Sequence, residues 1–156
     1  MASAPDQDTD QMTPTRRSLE HPGNLNQYEA LKDLRILYID DNLKTSEAVS
    51  EVLGLTGAQV ALAASNAEAM TALETFKPQM IVCAVTRPGE GGYIFIRKLR
   101  EHELGRLPQI PVLAFTAIPS TADEIDAMEA GFQLYLAKPI DIDRLRDALL
   151  KLADMI

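Results

Sequence analysis

From Arg35 onward the chain predicts an α/β fold, one parallel sheet covered by helices on both faces. Three observations predict it. Five short β-favouring runs alternate with five segments of helical period, and the connections between them are short. The third run, MIVCAV (80–85), is apolar throughout, the pattern of a strand buried on both faces.

The elements follow in order. Residues 1–27 are polar, contain three prolines and show no hydrophobic period, which predicts a disordered tail. Asp6, Asp8, Asp10 and Glu20 against Arg16 and Arg17 give this tail a net charge of -2, leaving -6 on the remainder. A native extension, a linker from a longer protein and added residues are all compatible with it. The domain is expected over 28–156, with 28–34 adding a helical turn ahead of the first strand, RILYI (35–39). Residues 43–55 place Ala48, Val49, Val52 and Leu53 on one helical face, with Gly57 just beyond as a stop. QVALA (59–63) is the second strand. Ser65 with Glu68 forms a capping box for a second helix that Pro78 prevents from continuing. After the third strand, residues 91–104 read as a helix and IPVLAF (110–115) as the fourth strand. Thr121 with Glu124 offers another capping box, and Gly131 closes that helix. FQLYLA (132–137) is the fifth strand. Asp141 caps a last helix with Ile142, Leu145, Leu149, Leu152 and Ile156 at helical spacing.

Composition narrows the function. The 156 residues are 46% hydrophobic and 24% charged, a globular balance with room for a sizeable core. A net charge of -8 argues against an electrostatically driven nucleic-acid binder. The single Cys83 lies in an apolar strand and reads as a small core residue without an internal disulfide partner. No run of about 18 apolar residues occurs, and the N-terminus lacks the apolar stretch of a signal peptide, so a cytoplasmic setting is expected.

In parallel sheets chemistry gathers at the C-terminal ends of the strands. The first strand ends in Asp40-Asp41-Asn42, the third at Ala84 before Val85-Thr86-Arg87-Pro88, the fourth at Thr116 and the fifth at Lys138-Pro139. Taken singly, each has an ordinary explanation: an N-cap, a loop hydroxyl, an exposed lysine. Taken together, two carboxylates, a hydroxyl and an ammonium at neighbouring strand ends make a pocket. Paired carboxylates suit a hard cation such as Mg²⁺, and Lys with Thr suits phosphoryl oxygens.

In YIDDN, FTA, LAKPI and TRPGEGGYIFIRKLR the chain resembles the receiver domain of two-component response regulators, over about residues 34 to 154. The resemblance implies a flavodoxin-like, doubly wound sheet of order 2-1-3-4-5. It makes Asp40, Asp41, Thr116 and Lys138 the receiver pocket, with Thr116 and Tyr135 as switch residues. It also implies a phosphoacceptor Asp four residues before the loop proline, a position that is Ala84 here. Arg87 and Gly91 are smaller departures from the family pattern. The implied metal ligands are Asp41, Asp40 and the Thr86 carbonyl. With the acceptor carboxylate missing, no cofactor or only weakly bound Mg²⁺ is expected.

The expected function is therefore a signal-transduction module of a two-component phosphorelay, a pseudo-receiver not phosphorylatable at the usual position, rather than an enzyme. Its expected partners are a histidine kinase, a phosphotransfer domain or another regulator, engaged through the fourth helix, fifth strand and fifth helix, with a homodimer as a further option. Neither nucleic acid nor membrane is expected. An engineered Asp-to-Ala form of an ordinary receiver is the alternative. The intact Asp40, Asp41, Thr116 and Lys138 suit it, whereas Arg87 and Gly91 suit natural drift. A Mg²⁺-dependent phosphotransfer enzyme would need a nucleophile, and the adjacent Asp40 and Asp41 point to different sides of a strand end. A nucleotide- or flavin-binding domain would need a Gly-rich loop after the first strand, which DDNLKT is not. Deleting residues 1–27 removes no periodic apolar face, so the melting temperature should change little in a thermal scan.

Overall fold

Apolar runs bounded by turn residues fold into strands, and the amphipathic segments between them into helices. The computed structural model describes residues 31–85, 91–104, 109–116, 120–138 and 142–156. In chain order the elements are β1 (Arg35–Ile39), α1 (Leu43–Gly54), β2 (Gln59–Ala63), α2 (Asn66–Thr75) and β3 (Met80–Val85). They continue with α3 (Gly91–His102), β4 (Val112–Thr116), α4 (Thr121–Ala130), β5 (Leu134–Ala137) and α5 (Ile142–Ala153). The sheet order is β2-β1-β3-β4-β5 and every pairing is parallel, the 2-1-3-4-5 order expected.

Because side chains alternate across a strand, each strand feeds two cores. Leu37, Ile39, Ile81, Cys83 and Ala114 pack with Ala69 of α2, Phe95 and Leu99 of α3, and Ala127 of α4. Ile36, Tyr38, Val82, Leu113 and Phe115 face the other way, onto Val49 and Leu53 of α1 and Leu145, Leu149 and Leu152 of α5. Among the described residues no helix is long and apolar enough to cross a membrane.

Several expected boundaries move. β4 and β5 each start two residues later than the apolar runs do, at Val112 and Leu134. Ile110 and Gln133 are taken up by a polar clasp instead. The Arg100 guanidinium donates to the carbonyls of Gly131 (2.8 Å from Nη2) and Ile110 (2.9 Å) and to Gln133 Oε1 (3.0 Å), and pairs with Glu103 at 2.6 Å. Glu103 also accepts from the Ile110 N–H (2.8 Å), and Gln133 Oε1 from the Val112 N–H (2.7 Å). The clasp ties the end of α3 to the end of α4 and to the starts of β4 and β5.

The cap of α4 is Ser120, whose hydroxyl accepts from the Asp123 N–H, and not Thr121. Gly131 does close that helix, at φ 122°. Ala48 is exposed and Val52 half-buried, so the inner face of α1 is carried by Ser46, Val49 and Leu53. Ile156 lies beyond α5 and is 49% exposed, because that helix ends at Ala153. Residues 31–33 form a turn with Leu31 fully buried, and the Asp33 N–H donates to Gly57 O (2.9 Å). The expected tail over 1–27 and the Asp141 cap lie outside the described residues.

Removing the guanidinium would leave Glu103 charged and buried, with two carbonyls unpaired. Arg100→Met should cost about 3 kcal/mol in urea unfolding.

Candidate functional site

The register of the sheet sets the geometry of its C-terminal edge. Ile39 pairs with Cys83, Ala84 with Phe115, and Thr116 with Ala137. Asp40 therefore emerges on the rung of Ala84, and Lys138 follows one step beyond the rung of Thr116. The Asp40 N–H donates to Ala63 O (3.0 Å) and the Lys138 N–H to Thr116 O, so both chain ends stay on the ladder. A cavity of about 360 Å³ opens there, lined by Asp40, Asp41, Asn42, Ser65, Asn66, Ala84, Gly92 and Lys138 among others.

Asp40 is the electrostatic centre. It is 6% exposed, whereas Asp41 beside it is exposed. Asp40 Oδ1 accepts from the Asn42 N–H (2.9 Å), and Oδ2 accepts from the Tyr38 hydroxyl (2.7 Å) and from Lys138 Nζ (3.3 Å). Lys138 Nζ also stands 5.5 Å from the centre of the Phe115 ring, a cation–π contact. Asn42 in turn caps α1, its side chain accepting from the Thr45 N–H (3.1 Å). Burial, then the hydrogen bond to Asp40, pushes the Tyr38 phenol well above its ordinary range, so it remains a donor. Burial, then the charge of Asp40, pushes the Cys83 thiol up to about 12, which makes it inert core.

Ala84 presents a methyl group to the cavity. The chain comes close behind it, where α3 starts. A Cβ on Gly92 would lie 2.6 Å from Val85 Cγ1, 2.8 Å from Ala84 O and 2.9 Å from Cys83 Sγ. Only glycine lets α3 start so near the end of β3.

Asp40, Asp41, Ala84 and Lys138 thus line one cavity, and Thr116, 1% exposed, sits at the adjoining rung. Tyr135 lies on β5 and packs against the core shared by α2, α3 and α4. Its hydroxyl is buried with no hydrogen-bond partner among the described residues. Nearby, the Tyr93 hydroxyl donates to Asp123 O at the start of α4 (3.3 Å), and its ring meets Phe132 edge-on. Thr86 lies outside the described residues. Sequence reasoning missed Tyr38, although its place two residues before Asp40 on a strand puts both on one face. It also missed Ser65 and Asn66 as cavity residues.

A resident divalent cation fits this edge poorly. Mg²⁺ takes oxygen ligands in near-octahedral geometry. Asp41 offers one carboxylate, Ala84 offers none, and both oxygens of Asp40 already accept hydrogen bonds. Among the described residues no group of three or more His, Cys, Asp or Glu side chains forms a metal site.

Comparison with known proteins follows the same line. The family model for the response regulator receiver domain matches residues 36–150. Response regulator Rre1 of Synechocystis sp. is 34% identical over 113 residues, 72% of this chain and 48% of that protein. The chain thus spans about half the length of that relative. A putative response regulator from Chloroflexus aurantiacus superposes with a TM-score of 0.70 at 31% identity, covering 79% of this chain and 99% of the other. The co-crystal structure of the Saccharomyces cerevisiae phosphotransfer protein Ypd1 with the Ssk1 receiver domain contains a chain matching at TM-score 0.71. At 20% identity, over 80% of this chain and 92% of that one, the likeness is one of fold.

An orphaned buried hydroxyl costs about 1–3 kcal/mol against an apolar group of the same shape. Tyr135→Phe should therefore hold or raise the melting temperature, whereas Tyr93→Phe, which breaks a hydrogen bond, should lower it.

Proposed function

The chain belongs to the response regulator receiver family, and from that membership we propose that it is a receiver module that takes no phosphoryl group at the family's usual position and acts by binding other proteins. One observation carries this reading. Ala84 shares a cavity with Asp40, Asp41 and Lys138, so the methyl stands where the resemblance puts the acceptor carboxylate. Phosphoryl transfer to a receiver forms an O–P bond from a carboxylate oxygen to a phosphorus whose bond to its donor breaks. Alanine has no such oxygen. Asp40 is a poor substitute, because Tyr38, Asn42 and Lys138 occupy both its oxygens. The same occupancy speaks against a phosphotransfer enzyme built on Asp40.

The proposed pocket is Asp40, Asp41, Ala84, Thr116 and Lys138, with Thr116 and Tyr135 as the residues that respond to a partner. The proposed partners are a histidine kinase, a phosphotransfer domain or another regulator, in a cytoplasmic setting. Their proposed docking face is α4, β5 and α5, which also suits a homodimer. Two features support that face. Ile125 and Met128 on α4 are 54% and 46% exposed. A cavity of about 280 Å³ between β5 and α5 is lined by Leu134, Leu136, Ala148, Arg144, Asp147 and Lys151, apolar at its floor and charged at its rim.

Incubation with acetyl phosphate and Mg²⁺ should leave the intact mass unchanged. Ala84→Asp should restore a phosphoryl adduct under the same conditions. Without metal that variant should lose about 1–2 kcal/mol of stability, since another carboxylate joins Asp40 and Asp41 around one lysine. An adduct on the unaltered chain would show that another side chain accepts the phosphoryl group.

A further inference from the structure

A buried carboxylate is costly unless it is neutralised and hydrogen-bonded. In this chain Asp40 meets both conditions from within. The shortest of its contacts is the Tyr38 hydroxyl at 2.7 Å, from a side chain with no solvent exposure. Tyr38 is held by its core, packed among Ile36, Val82, Phe115 and Leu149. Its hydroxyl and the Lys138 ammonium converge on the same oxygen, Oδ2. The ammonium also lies over the Phe115 ring, 5.5 Å from its centre.

A divalent cation entering this edge would need oxygens from Asp40 as well as Asp41, because Ala84 supplies none. Asp40 would first have to leave both the phenol and the ammonium. The cation would also face the positive charge of Lys138. Resting on the reading of this pocket as a receiver site without its acceptor, we propose that Tyr38 is its positioning residue: by holding Asp40 against Lys138 it provides from within the chain the neutralisation a divalent cation would bring, and closes the pocket to that cation. The pocket then keeps one arrangement whether Mg²⁺ is present or absent.

The test is a titration of the ¹⁵N-labelled full chain with Mg²⁺ alone, at constant ionic strength, following the amides of Asp41 and Ala84. The unaltered chain should give little curvature through the millimolar range. Tyr38→Phe keeps the ring and removes only the hydroxyl. It should tighten Mg²⁺ binding by about tenfold, the size expected for releasing one hydrogen bond to a charged group. Lys138→Gln should also tighten it. Because both act through one carboxylate, the double variant should gain less than the product of the two separate factors. Ile96→Val, which thins the core on the opposite face of the sheet and touches neither Tyr38 nor Asp40, should leave the Mg²⁺ response unchanged and so exclude a general loosening. Tight Mg²⁺ binding by the unaltered chain would overturn the proposal. So would a wild-type Mg²⁺ response in folded Tyr38→Phe, whatever Lys138→Gln gives. If Tyr38→Phe fails to fold, Lys138→Gln decides alone, and an unchanged response there overturns it. The mass measurement with acetyl phosphate keeps the two readings apart. An adduct on the unaltered chain removes the functional reading whatever the titration gives. Without an adduct, a failed titration removes only the role of Tyr38.

Discussion

The charge of Asp40 has to be balanced out of water, and much of the C-terminal edge of the sheet is arranged around that requirement. The residue sits at the end of β1 because the four apolar residues before it, Ile36 to Ile39, are pulled into the core. Its partner Lys138 is 98 positions away along the chain. The two meet only if β3 and β4 are inserted in the correct register between β1 and β5. A slip of one residue at any of these pairings would turn strand side chains to the opposite face and part the ion pair. Its partial burial also gives it more weight than an exposed pair would have.

The opposite end of the strands is organised by Arg100, a partly buried cation. There the guanidinium satisfies carbonyls at the end of α4 and the start of β4, and Glu103 balances it. The two polar clusters differ in what they leave open. Among the described residues the Arg100 clasp is closed on itself, each of its charged groups meeting a partner within it. The Asp40 cluster borders a cavity with exposed Asp41 on its rim. A fold of this class needs fixed strand ends at both edges, but only the C-terminal edge carries chemistry.

Much of the fold was legible because β1, β2 and β3 are apolar runs bounded by polar or helix-starting residues, and their limits follow from composition alone. β4 and β5 were read two residues too long at the start for one reason. Ile110, Phe132 and Gln133 continue the apolar or β-favouring pattern, yet Arg100 claims the backbone of Ile110 and the side chain of Gln133, a long-range contact that periodicity does not encode. Ser120 was passed over for Thr121 because both satisfy the capping pattern, and only backbone geometry separates them. At the site, the strand ends could be read as converging from the α/β pattern, and the structure brings Asp40, Asp41, Ala84 and Lys138 to one cavity. Tyr38 was read only as part of the first strand, and it is fully buried. That its hydroxyl reaches Asp40 depends on a side-chain distance that spacing alone does not provide.

Gly92 has a consequence for how this family member can change. With the Ala84 carbonyl and the side chains of Val85 and Cys83 packed where a side chain would start, the close approach of α3 to the end of β3 depends on Gly92 having none. One wall of the cavity is thus spaced by a residue that carries no chemistry. Substitution at position 84 can alter the chemistry of this wall while the spacing set at Gly92 is kept. Any side chain at position 92, by contrast, would force α3 and the end of β3 apart whatever stands at position 84.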